Sequence, residues 1–190
     1  KIALARFGYE IRRIPEYTKE GWQDEIPDEI SYWEKCFKTE KDRLKEDIAM
    51  RKDPEAKLQG VFLNYIDKTQ TKNTILDVGA GPLTVINKKC DFTQIEIYSV
   101  DPLADEYDEI LKNYNIQPIV RTQKCDGERL TEKFNENTFD ITYSRNAIDH
   151  SYDPIKCIEE MIKATKQNHF IILQVSEKEG EKEGWWGLHK

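Results

Sequence analysis

The chain has 190 residues, a formal net charge of −7 and a pI near 5.2. That length suits one domain with a modest extension, and it can bury enough surface to fold without staples. The acidic balance argues against a grip on nucleic acid through a basic face, so no nucleic-acid partner is expected. No apolar run approaches the roughly 18–20 residues of a membrane span, and no signal-peptide pattern is legible. The four cysteines, Cys36, Cys90, Cys125 and Cys157, stand singly, without a Cys-x-x-Cys or Cys/His pattern. No metal site is therefore expected, and a reducing, cytoplasmic setting suits them.

In chain order, residues 1–72 read as a charged helical extension or cap, and residues 73–190 as an α/β core. The opening Phe7-Gly-Tyr-Glu-Ile-Arg-Arg-Ile-Pro15 leads into a loop expected to run to Pro27. Asp28 can cap a helix there, with Ile30, Trp33, Phe37 and, less regularly, Leu44 near helical spacing. Trp33 on that stripe reads as core, whereas Trp22, in the loop beside Gly21, is open to a binding role. A second helix is expected over 55–66, with Leu58, Val61, Phe62 and Tyr65 on its apolar face. A polar link, Asp67-Lys-Thr-Gln-Thr-Lys-Asn73, follows.

Five strands are expected beyond it, over 74–78, 95–100, 118–124, 139–144 and 169–175. Helices fall over 104–113 and 154–165, the second with Ile155, Ile158, Met161 and Ile162 on one face and Asp153 as N-cap before Pro154. Strands alternating with helices imply crossover connections. The fold class is α/β: a Rossmann-like, doubly wound, mainly parallel sheet with helices on both faces.

The strongest local signal is Ile75-Leu-Asp-Val-Gly-Ala-Gly-Pro-Leu-Thr84, a buried strand, a glycine turn and an expected helix start. Gly79 and Gly81 permit a sharp turn and a close ligand, and N–H groups exposed there can hold a polar group. Asp77 ends the strand, where its carboxylate can face a cationic amine. Asp101, in Val100-Asp-Pro-Leu103, ends the next strand twenty residues after Gly81. An acid so placed can accept both hydroxyls of a ribose. The turn alone could be merely structural; with the acid it is a nucleoside-binding layout. A nicotinamide domain would prefer G-x-G-x-x-G, and Thr84 stands at its third glycine.

Asp77-Val-Gly-Ala-Gly81 followed by Asp101 resembles the motifs of class I S-adenosylmethionine-dependent methyltransferases. Lys124-Cys-Asp-Gly-Glu-Arg-Leu130 and Phe139-Asp-Ile-Thr-Tyr-Ser-Arg-Asn-Ala-Ile-Asp-His150 resemble the later segments, in the right order over about 74–176. Leu83 departs from the pattern, which often has a third glycine there. The resemblance implies S-adenosyl-L-methionine as cofactor, with Asp77, Gly79, Ala80 and Gly81 at its methionine and ribose parts. Asp101, with Pro102 and Leu103, would face the ribose. Asp126 would take the adenine amino group, with Gly127 or Glu128 beside it. Ser144, Arg145 and Asn146 would touch cofactor or acceptor, and Arg145 could hold a phosphate or carboxylate or form a surface ion pair.

Methyl transfer needs alignment and exclusion of water more than covalent help, but a hydroxyl acceptor also needs a base. His150 is the candidate base and Asp149 its orienting partner or a wall of the pocket; the pair can also be purely structural. Phe7–Pro15, Ile30-Ser-Tyr-Trp-Glu-Lys35 and Asn146-Ala-Ile-Asp-His-Ser-Tyr-Asp-Pro154 further resemble methyltransferases of bacterial surface-polysaccharide gene clusters. This implies O-methylation of a small-molecule or glycan-precursor acceptor, in polysaccharide biosynthesis. The alternatives are an NAD- or nucleotide-sugar-binding enzyme on a Rossmann-like fold, or a non-catalytic S-adenosylmethionine-binding module. His169 and His189 receive no role, and Trp185-Trp186 could pack on the sheet or close the pocket. The family's core carries seven strands, so the core is expected to be incomplete at its C-terminal end. The oligomeric state is open.

Overall fold

The computed structural model describes residues 18–38 and 42–176, together with the side chains of 18–38 and 45–176. The segment 7–15, the Leu44 side chain, Trp185, Trp186 and His189 lie outside the described residues.

Five parallel strands form one sheet: β1 (Lys72–Val78), β2 (Gln94–Asp101), β3 (Thr122–Lys124), β4 (Phe139–Arg145) and β5 (Thr165–Gln174), in the order β3-β2-β1-β4-β5. β1 is central, and its side chains alternate between two cores as strand geometry requires. Leu76 and Val78 pack with Val100, Leu130, Phe139 and Met161; Ile75 packs on the opposite face with Leu58, Phe62, Ile66, Ile86 and Ile141. α4 (Ala104–Asn113), α5 (Leu130–Lys133) and α6 (Pro154–Ala164) make the crossovers. The expected Rossmann-like architecture is the observed one.

α1 spans Lys19–Lys38 and does not wait for Pro27 or for Asp28 as its cap. Trp22, Ile26, Ile30, Trp33 and Phe37 form an unbroken helical stripe across the proline, packed on Leu103, Tyr107 and Ile110. Burial of that stripe outweighs the hydrogen bond a helical proline forgoes. Trp22 is thus a buried helical residue rather than a loop residue. α2 follows at Asp42–Arg51.

Three further expectations fail. The helix over 55–66 shrinks to α3 (Gly60–Leu63). Leu58 N–H donates to the Lys89 carbonyl at 2.7 Å, and the Gln59 side chain donates to Val85 O and accepts from Asn87 N. These bonds hold the segment extended before Gly60. No helix follows the glycine turn: residues 82–93 are irregular. Their backbone is satisfied from outside, with Arg51 Nη1 donating to Leu83 O at 2.8 Å and Gln59 to Val85 O. β3 keeps only 122–124, opposite Ser99–Asp101. Pro118 has no N–H to offer a ladder, and Ile119 stays exposed. β5 instead begins early, directly after α6, where Thr165 Oγ1 donates to Met161 O at 2.7 Å. Asp153 caps α6 as expected, accepting from Lys156 N at 3.0 Å with Pro154 in the first turn.

Candidate active site

A cavity of about 400 Å³ opens at the carboxyl ends of β1, β2 and β4, with α1 along one side. In open parallel sheets this edge, beside the switch in strand order, is where ligands sit. β1 ends in the glycine turn, which is stitched to β2: Gly79 N and Ala80 N both donate to the Val100 carbonyl, at 2.9 and 3.1 Å. Both glycines are left-handed, with φ of 72° and 63°. A Cβ at Gly79 would collide with Ala147, and one at Gly81 would lie 2.8 Å from the Trp33 ring. Conformation and space therefore both require glycine here.

Asp101 closes the turn. Its carboxylate accepts from Gly81 N and from Leu103 N, both at 3.0 Å. Burial outweighs these bonds and pushes its carboxyl up to about 7. Asp77 accepts from Thr84 Oγ1 at 2.6 Å, and burial pushes it up to about 6 against the pull of that bond and of Arg51, Lys88 and Arg145. Glu128 is also buried, raised by desolvation, and accepts from Asp153 N at 3.1 Å. Three costly carboxylates thus gather around one cavity.

Of the expected cofactor contacts, Asp77, Gly79, Ala80, Gly81, Asp101, Pro102, Leu103, Gly127, Glu128, Ser144, Arg145 and Asn146 line this cavity. Asp126 does not. Its Oδ2 accepts from Lys19 Nζ at 2.8 Å and from Tyr152 Oη at 3.0 Å, so its carboxylate fastens α1 to the loop after β3. The Ser144 hydroxyl is buried without a hydrogen-bond partner among the described residues. Asn146, at φ 47°, turns the chain after β4 and exchanges bonds with Ser176.

His150 ends a short 3₁₀ turn, Ile148–His150, and lines the cavity; Asp149 does not. Nε2 lies 3.6 Å from Asp149 Oδ2, and Nδ1 lies 3.8 Å from Glu29 Oε2. The His150 carbonyl accepts from Trp22 Nε1 at 2.8 Å, which ties the turn to α1.

Trp22, open to a binding role from the sequence, lines the cavity, but Glu29 and Arg51 were not foreseen there and Trp33 was expected only in the core. Glu29, Trp33 and Arg51 all line the cavity, as does Tyr107 from α4. Trp33 donates to Glu29 Oε1 at 2.8 Å and meets Tyr107 edge-on at 6.1 Å between ring centres. The i to i+4 spacing of Glu29 and Trp33 was a signal for that pair; nothing local marked Arg51.

The fold and this edge define a Rossmann-like, doubly wound α/β protein with a ligand cavity at its switch point. A methyltransferase domain model matches residues 76–173, just over half of the chain, and the chain belongs to that family. S-adenosyl-L-methionine is the cofactor that goes with it. An uncharacterised methyltransferase of Schizosaccharomyces pombe is 28% identical over 117 residues, covering 58% of this chain and 41% of that protein. Among solved structures, the YcgJ protein of Bacillus subtilis aligns with a TM-score of 0.41 and 22% identity over 55% of this chain and 44% of its own. An arsenic(III) S-adenosylmethionine methyltransferase of Chlamydomonas reinhardtii aligns with a TM-score of 0.43 and 16% identity over 57% and 40%. The chain therefore spans about two fifths of the length of these relatives. No helix among the described residues is long and apolar enough to cross a membrane.

Proposed function

We propose that this chain binds S-adenosyl-L-methionine in the cavity at the end of β1 and β2 and transfers its methyl group to a hydroxyl of a small molecule or glycan precursor. One observation carries the reading: the Gly79–Gly81 bend and the Asp101 carboxylate meet at 3.0 Å on the wall of a single cavity. The residues fit the cofactor. The two glycines let Ala147 and Trp33 close against the turn beside the cavity, and among the described residues the Ser144 hydroxyl stands unpartnered where Ser144 lines it. The acids Asp77, Asp101 and Glu128 suit a ligand bearing a sulfonium and an ammonium.

When bound, S-adenosyl-L-methionine supplies a methyl group on a positively charged sulfur. Asp101 takes the ribose hydroxyls, Asp77 and the turn face the amino-acid part, and Gly127 and Glu128 flank the adenine. α1 bears on one side of the cavity through Trp22 and Trp33, which keeps bulk water from that wall. His150 accepts the acceptor's hydroxyl proton on its imidazole, and Asp149 and Glu29 stabilise the imidazolium that results. In this reading residues 1–72 act as a cap over a core of 73–190, with Leu58, Phe62 and Ile66 of the extension built into the sheet's own packing. A cytoplasmic setting accords with four thiols that are all free. The glycan acceptor rests on the N-terminal phrases and the segment after β4.

Calorimetric titration tests the reading. S-adenosylhomocysteine is expected to bind in the micromolar range and NAD not at all. Binding of NAD with no response to S-adenosylhomocysteine would overturn it.

A further inference from the structure

In doubly wound sheets the glycine turn normally leads into a helix whose N-terminal N–H groups hold the anionic part of a ligand. Here residues 82–93 form no helix, so that device is lacking. Three cations surround the same corner instead. Arg51 comes from α2, Lys88 from the irregular segment and Arg145 from the end of β4, and all three act on the Asp77 carboxylate. Two of them are already engaged. Arg51 Nε pairs with Asp47 at 2.8 Å while its Nη1 holds the Leu83 carbonyl, and Lys88 Nζ donates to the Arg51 carbonyl at 2.8 Å. Arg145 differs. It lines the cavity and is exposed, and among the described residues its side chain has neither a hydrogen bond nor a carboxylate within ion-pair distance. The other charged groups on the lining include the acids Glu29, Asp77, Asp101 and Glu128. A guanidinium without its own carboxylate, on the wall of an acidic cavity, is set to take a planar or tetrahedral oxyanion from the ligand.

We propose that Arg145, on a lining that it shares with Arg51, is the oxyanion receptor of this cavity and does the work of the missing helix N-terminus. The inference rests on the methyl-donor reading. The shared chemistry is a carboxylate or phosphate, which has two sources: the amino-acid tail of the donor or an acid group on the acceptor. Three titrations separate them, each on wild type and Arg145→Met: S-adenosylhomocysteine, 5′-methylthioadenosine (which lacks the amino-acid tail), and inorganic phosphate added to protein saturated with S-adenosylhomocysteine. If the donor supplies the anion, Arg145→Met weakens S-adenosylhomocysteine about tenfold or more and leaves methylthioadenosine within about twofold. If the acceptor supplies it, both nucleosides keep their affinity and phosphate binding is lost in the variant. Arg145→Lys keeps the charge and should lose no more than about fivefold in either case. Three unchanged titrations, or equal losses for both nucleosides, overturn the proposal. Should wild type bind neither nucleoside, the donor reading fails by itself, and phosphate titrated into the unloaded protein decides this one: binding that Arg145→Met abolishes supports it, and no binding overturns it.

Discussion

Asp140 and Asp101 are both buried carboxylates on parallel strands of one sheet, one at the amino end of β4 and the other at the carboxyl end of β2. Their surroundings are opposite. Asp140 accepts from Lys166 Nζ, Thr74 N and Thr74 Oγ1, all at 2.7 Å, and His169 Nε2 lies 3.2 Å away. Burial alone would raise its carboxyl, but these partners outweigh it and hold the group below the usual range. Asp101 has two backbone N–H partners and no cation in bonding distance among the described residues; burial wins and the carboxyl rises to about 7. Asp77 follows Asp101, whereas Glu160, bonded to Thr131, Lys156 and Lys163, falls to about 2 against its own burial. One end of the sheet neutralises its buried charge from within. The other leaves it without a cation in bonding distance, at a cost in stability that the proposed ligand would offset.

Substitutions at the two ends should therefore separate stability from binding. The largest expected effect is at the amino end. Asp140→Ala leaves Lys166 and His169 facing an empty site and should cost about 3 kcal/mol in urea unfolding. Its affinity for S-adenosylhomocysteine should stay within about twofold, and a large loss of binding would merge two regions that the account keeps apart. Asp101→Ala should do the reverse, with affinity for S-adenosylhomocysteine falling about 100-fold by calorimetry and little loss of fold.

Next comes pH. For Asp77 the unfolded chain loses its proton near the ordinary carboxylate value of 3.8, while the folded protein keeps it to about 6. Between those values each rise in pH lowers stability, and above about 6 the loss is complete. Asp77→Asn should therefore stabilise the ligand-free protein by about 1–3 kcal/mol at pH 8 and hardly at all at pH 4. Equal effects at both pH values would contradict the raised carboxyl. Glu160 has the other sign: its contribution is present above 4.5 and is lost as pH falls through about 2, so Glu160→Gln should flatten the acid limb of the unfolding curve. The smallest effect is expected where α1 is fastened to the loop after β3, at the carboxyl end. Lys19→Ala removes an ion pair whose lysine is 43% exposed, and should cost about 0.5 kcal/mol or less while slightly speeding cofactor exchange.

Much of this was legible in the amino-acid order because short-range chemistry decides it. The β1 strand, the left-handed glycines, Asp101 at the end of β2 and the Asp153 cap depend on neighbours within a few residues. The misses depend on distant partners. α1 runs through Pro27 because Leu103, Tyr107 and Ile110 complete its stripe. Residues 57–59 stay extended because the 85–89 backbone takes their hydrogen bonds. Asp126 lies off the cavity lining because Lys19 and Tyr152, 107 and 26 residues away, hold its carboxylate. Arg51 and Glu29 reach the cavity only through the packing of two helices, a relation that no local spacing encodes.

The most direct measurement is a crystal structure of the protein soaked with S-adenosylhomocysteine. The ribose hydroxyls are expected on the Asp101 carboxylate, within hydrogen-bond distance, and the thioether sulfur beside the Gly79–Gly81 bend. Density for the nucleoside elsewhere on the surface, with the β1–β2 cavity still filled by solvent, would contradict it.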